Sequence, residues 1–189
     1  MNISEFYFNK NYEGDLNMKL GFIGTGNMAS AIMSGVIKNN IFLANEIIGS
    51  DLLASGREKV KEQFGINVTN SNKDVASLSE VIVLSVKPQF YADVIAEIKD
   101  IVKEEQMIIT IAPGKTLAWL EEQFGKPVKI VRTMPNTPAM VGAGMTAAVA
   151  NPYLKEEEIA YINGFIDKEK LMESAQKLFA KVYEQAQGA

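Results

Sequence analysis

The chain is predicted to fold as an α/β protein, a doubly wound and mostly parallel sheet followed by a short helical tail. Three observations carry that expectation. From Lys19 onward, short apolar runs of strand length alternate with stretches whose apolar residues recur at helical spacing. One run, Val81-Ile82-Val83-Leu84-Ser85-Val86, is apolar almost throughout, as in a parallel strand buried on both faces. The first run, Leu20 to Ile23, stops at Gly24-Thr25-Gly26, and Met28, Ala31, Ile32, Gly35 and Val36 then follow at helical spacing.

Taken in order, residues 1–17 differ from the rest. They hold four asparagines, three acids and one apolar cluster, Phe6-Tyr7-Phe8, and are read as a disordered extension before a domain that begins at Met18. They have neither the basic start nor the apolar core of a secretory signal. A helix over 27–39 leads to a second strand over 46–51. A charged helix over 57–64 stops at Gly65, a usual C-terminal signal. Strand 66–69, helix 72–78 and strand 81–86 follow, and Lys87-Pro88-Gln89 breaks the last. Residues 90–101 form a helix with Val94, Ile95, Ile98 and Ile101 on one face. Strand 107–111 closes at Ala112-Pro113-Gly114, and helix 117–124 ends at Gly125 and Pro127. Strand 128–131 is followed by Arg132-Thr133-Met134-Pro135-Asn136-Thr137-Pro138, read as a proline-fixed loop. Residues 145–149 are read as one more strand. The domain is placed at 18–152 and a polar helical tail at 153–189.

Composition narrows the function. At 189 residues and 47% hydrophobic, the chain is ample for one core. Its 19 basic and 23 acidic residues form no basic block, so nothing points to nucleic acid or an anionic membrane. No apolar run approaches the roughly 18 residues that span a bilayer. Cysteine and histidine are absent, which excludes thiolate nucleophiles and removes the commonest acid/base group and metal ligand. No metal ligand and no catalytic residue is assigned.

Strand, glycine turn and helix give a G-x-G-x-x-[GA] match the context that a dinucleotide site needs. Gly24 permits the tight turn, and Gly26 has no Cβ to hold a pyrophosphate away. Ala29 lets the helix lie close to the strand, and Thr25, Asn27 and Met28 complete the loop. The free N–H groups at the helix start suit the phosphates. Asp51, roughly 25 residues beyond Gly26, lies near the place where such a unit contacts the adenosine ribose. An acid there favours a free 2′-hydroxyl, whereas Ser50, Ser55 and Arg57 suit a 2′-phosphate. NADP against NAD stays open, as does a plain turn role for Asp51. Ligands in such sheets bind beyond the strands' carboxyl ends. The Gly24 loop, Val86-Lys87-Pro88, Ala112-Pro113-Gly114 and Met134-Pro135-Asn136 are therefore expected to line one crevice.

Three stretches in order, Gly21-Phe22-Ile23-Gly24-Thr25-Gly26-Asn27-Met28, Val86-Lys87-Pro88-Gln89 and Val131 through Pro138, resemble pyrroline-5-carboxylate reductase, the last enzyme of proline biosynthesis. The resemblance covers 18–152. It implies a Rossmann-type domain binding NADP or NAD, a small-molecule substrate (1-pyrroline-5-carboxylate), a cytoplasmic enzyme and a homo-oligomer. It also implies that Val86-Lys87-Pro88 and Met134-Pro135-Asn136 flank the nicotinamide, with Ala112 nearby. Ile111-Ala112-Pro113-Gly114 departs from the family's small-residue-Ala-Gly turn. The family's helical dimerisation half, which grips the substrate, has no counterpart recognisable in 155–189, so that tail is read as a truncated or replaced version of it. The run 159–169 resembles the C-terminal helices of sugar-phosphate nucleotidyltransferases over too short a span to carry function. Three readings compete: the reductase, another imine or β-hydroxyacid reductase of the group, and a dinucleotide-binding module without catalysis. Imine reduction suits a chain without histidine, because a protonated C=N is already an electrophile and positioning supplies most of the catalysis.

Overall fold

The computed structural model describes residues 18–135, 146–155 and 158. The expectations for 1–17, for 136–138 and for the tail beyond 155, Glu158 apart, lie outside the described residues. The elements run β1 (Met18–Ile23), α1 (Asn27–Lys38), β2 (Ile47–Ser50), α2 (Ala54–Phe64), β3 (Asn67–Thr69), α3 (Asn72–Leu78) and β4 (Ser79–Leu84). They continue with α4 (Tyr91–Ile98), β5 (Met107–Thr110), α5 (Leu117–Phe124), β6 (Lys129–Pro135) and β7 (Thr146–Ala150). One seven-stranded sheet takes the order β3-β2-β1-β4-β5-β6-β7. Its first six strands pair in parallel and β7 pairs antiparallel to β6. The expected mostly parallel α/β sheet is what the chain forms.

Alternation along the strands decides which helix covers which face. Leu20 and Phe22 of β1 and Val81 and Val83 of β4 pack in one cluster with Met33 and Val36 of α1 and Val60 of α2. Ile23, Ile82 and Leu84 pack in the other with Val75 of α3, Tyr91 and Ile95 of α4, and Leu120 of α5. Helices therefore cover both faces, which is the doubly wound arrangement. Phe22 and Ile82 are fully buried, and each such side chain contributes about 1.5–3 kcal/mol of transfer free energy.

Helix α2 begins at Ala54 rather than 57, and three further stretches differ from expectation. Residues 132–135 are strand, not loop, because β7 pairs with them: Met134 lies opposite Ala147 and Pro135 opposite Thr146. On the other side β5 ends at Thr110, opposite Arg132, and a one-sided strand end tolerates a proline without an N–H. Strand β4 starts at Ser79 rather than Val81 and ends at Leu84 rather than Val86. Its polar first residues are drawn in by β1, where Met18 faces Ser79 and Lys19 pairs with Glu80 at 2.6 Å. The helix expected over 90–101 is shorter, with a 3-10 turn at Pro88–Phe90 before it.

Candidate functional site

The strand order reverses at β1, with β2 and β3 to one side and β4 to β6 to the other. Such a switch point opens a crevice at the carboxyl ends of the strands. Gly24 is the first residue beyond β1, and three segments meet there. Its N–H donates to the Ser50 carbonyl at 2.8 Å, while the Ser85 N–H donates to the Ile23 carbonyl at 2.9 Å. The Ser85 hydroxyl donates to the Gly24 carbonyl at 2.7 Å. Gly24 has φ +97, and a Cβ there would lie 2.9 Å from the Ser85 carbonyl carbon and the Val86 nitrogen. Glycine is needed both for the backbone conformation and for the close approach.

Thr25 is buried, and both its N–H and its hydroxyl donate to Asp51 Oδ2, at 2.9 and 3.0 Å. Asp51 Oδ1 accepts the Leu53 N–H at 3.0 Å. Burial pushes the Asp51 carboxyl up, but the hydrogen bonds from Leu53 and Thr25 and the nearby Arg57 charge together hold it below its ordinary value. Arg57 Nη1 donates to the Asp51 and Leu52 carbonyls at 2.7 and 3.3 Å. The Ser50 side chain is fully buried and its hydroxyl donates to Asn72 Oδ1 at 2.8 Å. That leaves its backbone, rather than its hydroxyl, at the turn.

Gly26 is the contrast. It is exposed, its backbone is extended at φ −68 and ψ −174, and a Cβ there would meet nothing within 4 Å. It is the N-cap of α1, and no side chain caps that helix start. Among the described residues, the first-turn N–H groups beside exposed Asn27 and half-buried Met28 have no side-chain acceptor. Ala29 is buried against the sheet, as its small size allows.

A second group sits at the ends of β4, β5 and β6. Val86 is half-buried, Lys87 exposed, and Pro88 opens the 3-10 turn. Tyr91 Oη donates to the Leu84 carbonyl and accepts the Thr110 hydroxyl at 3.0 Å, so α4 ties β4 to β5. Burial raises the Tyr91 pKa, with the Thr110 hydrogen bond pulling it down. The Thr133 hydroxyl donates to the Thr110 carbonyl at 3.0 Å, joining β6. Ala112 is buried directly beyond β5 and Met134 is exposed near the end of β6. Arg132 Nε donates to the Lys115 carbonyl at 2.7 Å, and Lys115 Nζ lies 3.9 Å over the Trp119 ring. Asn136 lies outside the described residues.

The structure therefore joins Gly24, Thr25, Ser50, Asp51 and Val86 by direct contact, and places Lys87, Pro88, Ala112 and Met134 at the ends of the neighbouring strands. Ser85, Tyr91 and Thr110 were missed from sequence, although Ser85 stands out as the polar residue in the run Val81 to Val86. Among the described residues no cluster of acids is placed to hold a metal ion, and no helix is long and apolar enough to cross a membrane.

Fold and turn together define a class: the chain belongs to the family described as NADP oxidoreductase, coenzyme F420-dependent, whose model matches residues 19–114. Within that class its relatives are more particular. It is 37% identical over 145 residues to a pyrroline-5-carboxylate reductase of Escherichia coli K12, a match that covers 77% of this chain and 54% of that protein. It superposes on the structure of a pyrroline-5-carboxylate reductase from Coxiella burnetii with a TM-score of 0.74 and 35% identity, covering 79% of this chain and 55% of that one. The pyrroline carboxylate reductase of Plasmodium falciparum, solved with NADP bound, matches with a TM-score of 0.70 and 32% identity over 80% of this chain and 55% of that one. The chain thus spans about half the length of the relatives it matches.

Proposed function

We propose that this chain binds NADPH or NADH and serves the reduction of 1-pyrroline-5-carboxylate to L-proline. The observation that supports this best is the open helix start behind Gly26, in a chain 37% identical to a pyrroline-5-carboxylate reductase over 145 residues. The residues present fit a dinucleotide. Gly24 and Thr25 would shape the loop, and Gly26, Asn27 and Met28 would hold the pyrophosphate, for which the bare Gly26 leaves room and the uncapped α1 leaves donors. Ser50 and Asp51 close the ribose side, and Val86, Lys87, Pro88, Ala112, Met134, Pro135 and Asn136 are assigned to the nicotinamide side. The reduced nicotinamide supplies the hydride when bound. The residues around it bind and orient, and the imine nitrogen arrives protonated or takes its proton from water or a hydroxyl. That division of labour suits a site built without histidine or cysteine. A cytoplasmic location and assembly into a homo-oligomer belong to the same reading.

Gripping a small anionic ring over the cofactor is a positioning task, and such positioning is worth about 100-fold or more in rate. The test is steady-state oxidation of NADH and NADPH by the full chain with 1-pyrroline-5-carboxylate, with proline quantified. Proline formed in step with cofactor oxidised supports the reading. Nucleotide binding with no proline formed favours a non-catalytic dinucleotide module instead.

A further inference from the structure

We propose that Tyr91 is a positioning residue for the nicotinamide half of the dinucleotide, acting through the loops beyond β4 and β5. The inference rests on the dinucleotide reading above and deepens it, because neither the family match nor the sequence motifs give Tyr91 a role. Four groups form a directed relay at the carboxyl ends of these two strands. The Ala112 N–H donates to the Thr110 hydroxyl at 3.4 Å, and that hydroxyl donates to Tyr91 Oη at 3.0 Å. Tyr91 Oη in turn donates to the Leu84 carbonyl. Tyr91 and Thr110 are fully buried. Burial raises the pKa of the phenol, so it keeps the proton it gives to Leu84.

Both ends of the relay lie where the site needs a fixed spacing. Leu84 is the last residue of β4, and Val86-Lys87-Pro88 begins two positions further on. Ala112 stands two positions beyond the end of β5. The Thr133 hydroxyl, donating to the Thr110 carbonyl at 3.0 Å, brings β6 and the neighbouring Met134 into the same tie. The Tyr91 ring packs in the core cluster on this face, a task that phenylalanine would also perform. Its oxygen does something that core packing does not, since it joins two strand ends whose loops are assigned to the nicotinamide. Without it the Thr110 hydroxyl and the Leu84 carbonyl each lose a buried partner. The relay includes none of Gly26, Asn27 and Asp51, which are assigned to the phosphates and the ribose.

Titration calorimetry on the full chain separates the two halves of the ligand. NADPH is compared with 2′-phospho-ADP-ribose and NADH with ADP-ribose, so that each pair differs in the nicotinamide. The wild type should bind a dinucleotide more tightly than its fragment. Tyr91→Phe should weaken the dinucleotides about fivefold and leave the fragments within about twofold of the wild type. Thr110→Val, which breaks the relay at its next member, should do the same. Thr110→Ser, which keeps the hydroxyl, should restore the wild-type ratio. A hydroxyl that only stabilised the fold would lower the unfolding midpoint without moving the ratio of dinucleotide to fragment. An unmoved ratio in Tyr91→Phe and Thr110→Val, or a wild type that binds fragment as tightly as dinucleotide, would overturn the assignment. If the wild type binds neither dinucleotide nor fragment, the dinucleotide reading fails and takes this inference with it, which distinguishes the two failures.

Discussion

The two ends of the same strands are built to opposite plans. At the amino ends, polar side chains turn to one another and to the backbone. Lys19 pairs with Glu80 at 2.6 Å across β1 and β4. Gln106 donates to the Ala76 and Ser79 carbonyls at 2.8 and 2.5 Å and accepts the Lys103 N–H at 2.6 Å. Asn151 donates to the Val128 carbonyl and accepts the Ile130 N–H, pinning the far side of the sheet. At the carboxyl ends, Gly24, Thr25 and Asp51 are equally well held, but beside them lies a helix start that no side chain caps among the described residues. The amino edge spends most of its polar side chains on the fold, Ser79 Oγ excepted, while at the carboxyl edge, among the described residues, the first turn of α1 has no side-chain acceptor. The difference shows that polar density does not mark a site. What marks it is a rigid loop beside donors without acceptors.

Two glycines, one toward each end, break this comparison most sharply. Gly24→Ala combines a positive φ with a Cβ 2.9 Å from backbone atoms of Ser85 and Val86. It should destabilise the chain by about 3 kcal/mol and weaken nucleotide binding at least tenfold. A Cβ on Gly21 would meet the Ser79 hydroxyl oxygen at 2.2 Å, Val75 Cγ1 at 2.6 Å and Ser79 Cβ at 2.9 Å, so these buried side chains must give way. Gly21→Ala should cost about 2 kcal/mol and leave the affinity of the folded protein unchanged. Urea unfolding and calorimetry on both variants check the pair. Equal losses of affinity would remove the distinction between the edges.

A smaller effect sharpens the comparison through pH. The folded-state pKa of Asp51 lies below its ordinary 3.8, so its stabilisation is present above that pH and is lost as pH falls through the lower folded value. Glu80 behaves in the opposite sense. Burial raises its pKa above the ordinary 4.5, with Lys19 opposing and Glu46 adding to the rise. Its contribution is present below pH 4.5 and is lost as pH rises through the higher folded value. Urea midpoints measured against pH should therefore show Asp51→Asn flattening the acid limb and Glu80→Gln flattening the limb just above it. Both variants shifting the same limb would show that one of the two carboxyls is misjudged.

What could be read from sequence follows how local each cause is. Strand, turn and helix around Gly24 were legible because the apolar run, the glycines and the helical spacing lie within one stretch. Helices α3 and α5 were placed at their observed bounds, and each begins after a hydroxyl residue, Ser71 and Thr116, that caps it. Extension of β6 to Pro135 was not legible, since it depends on β7 arriving antiparallel from residues further along. Nor was the early start of β4, which Met18 and Lys19 impose from about 60 positions away in the chain. The Ser50 hydroxyl looked available for a phosphate until Asn72, on a different element, proved to hold it. Even the need for glycine at position 24 is half non-local, because Ser85 and Val86 occupy the space a Cβ would take.

The open edge itself is tested most directly at Gly26. Its backbone suits any residue, and nothing lies within 4 Å of a Cβ placed on it. Gly26→Val should therefore cost only about 1 kcal/mol in urea unfolding, the effect of a poor residue at a helix N-cap. The same side chain would stand where the pyrophosphate must approach the backbone. Calorimetry should then show affinity for NADH and NADPH reduced at least tenfold in a protein that remains folded. If Gly26→Val binds both nucleotides as tightly as the wild type, the uncapped start of α1 is not where the dinucleotide sits, and the account of the carboxyl edge is wrong.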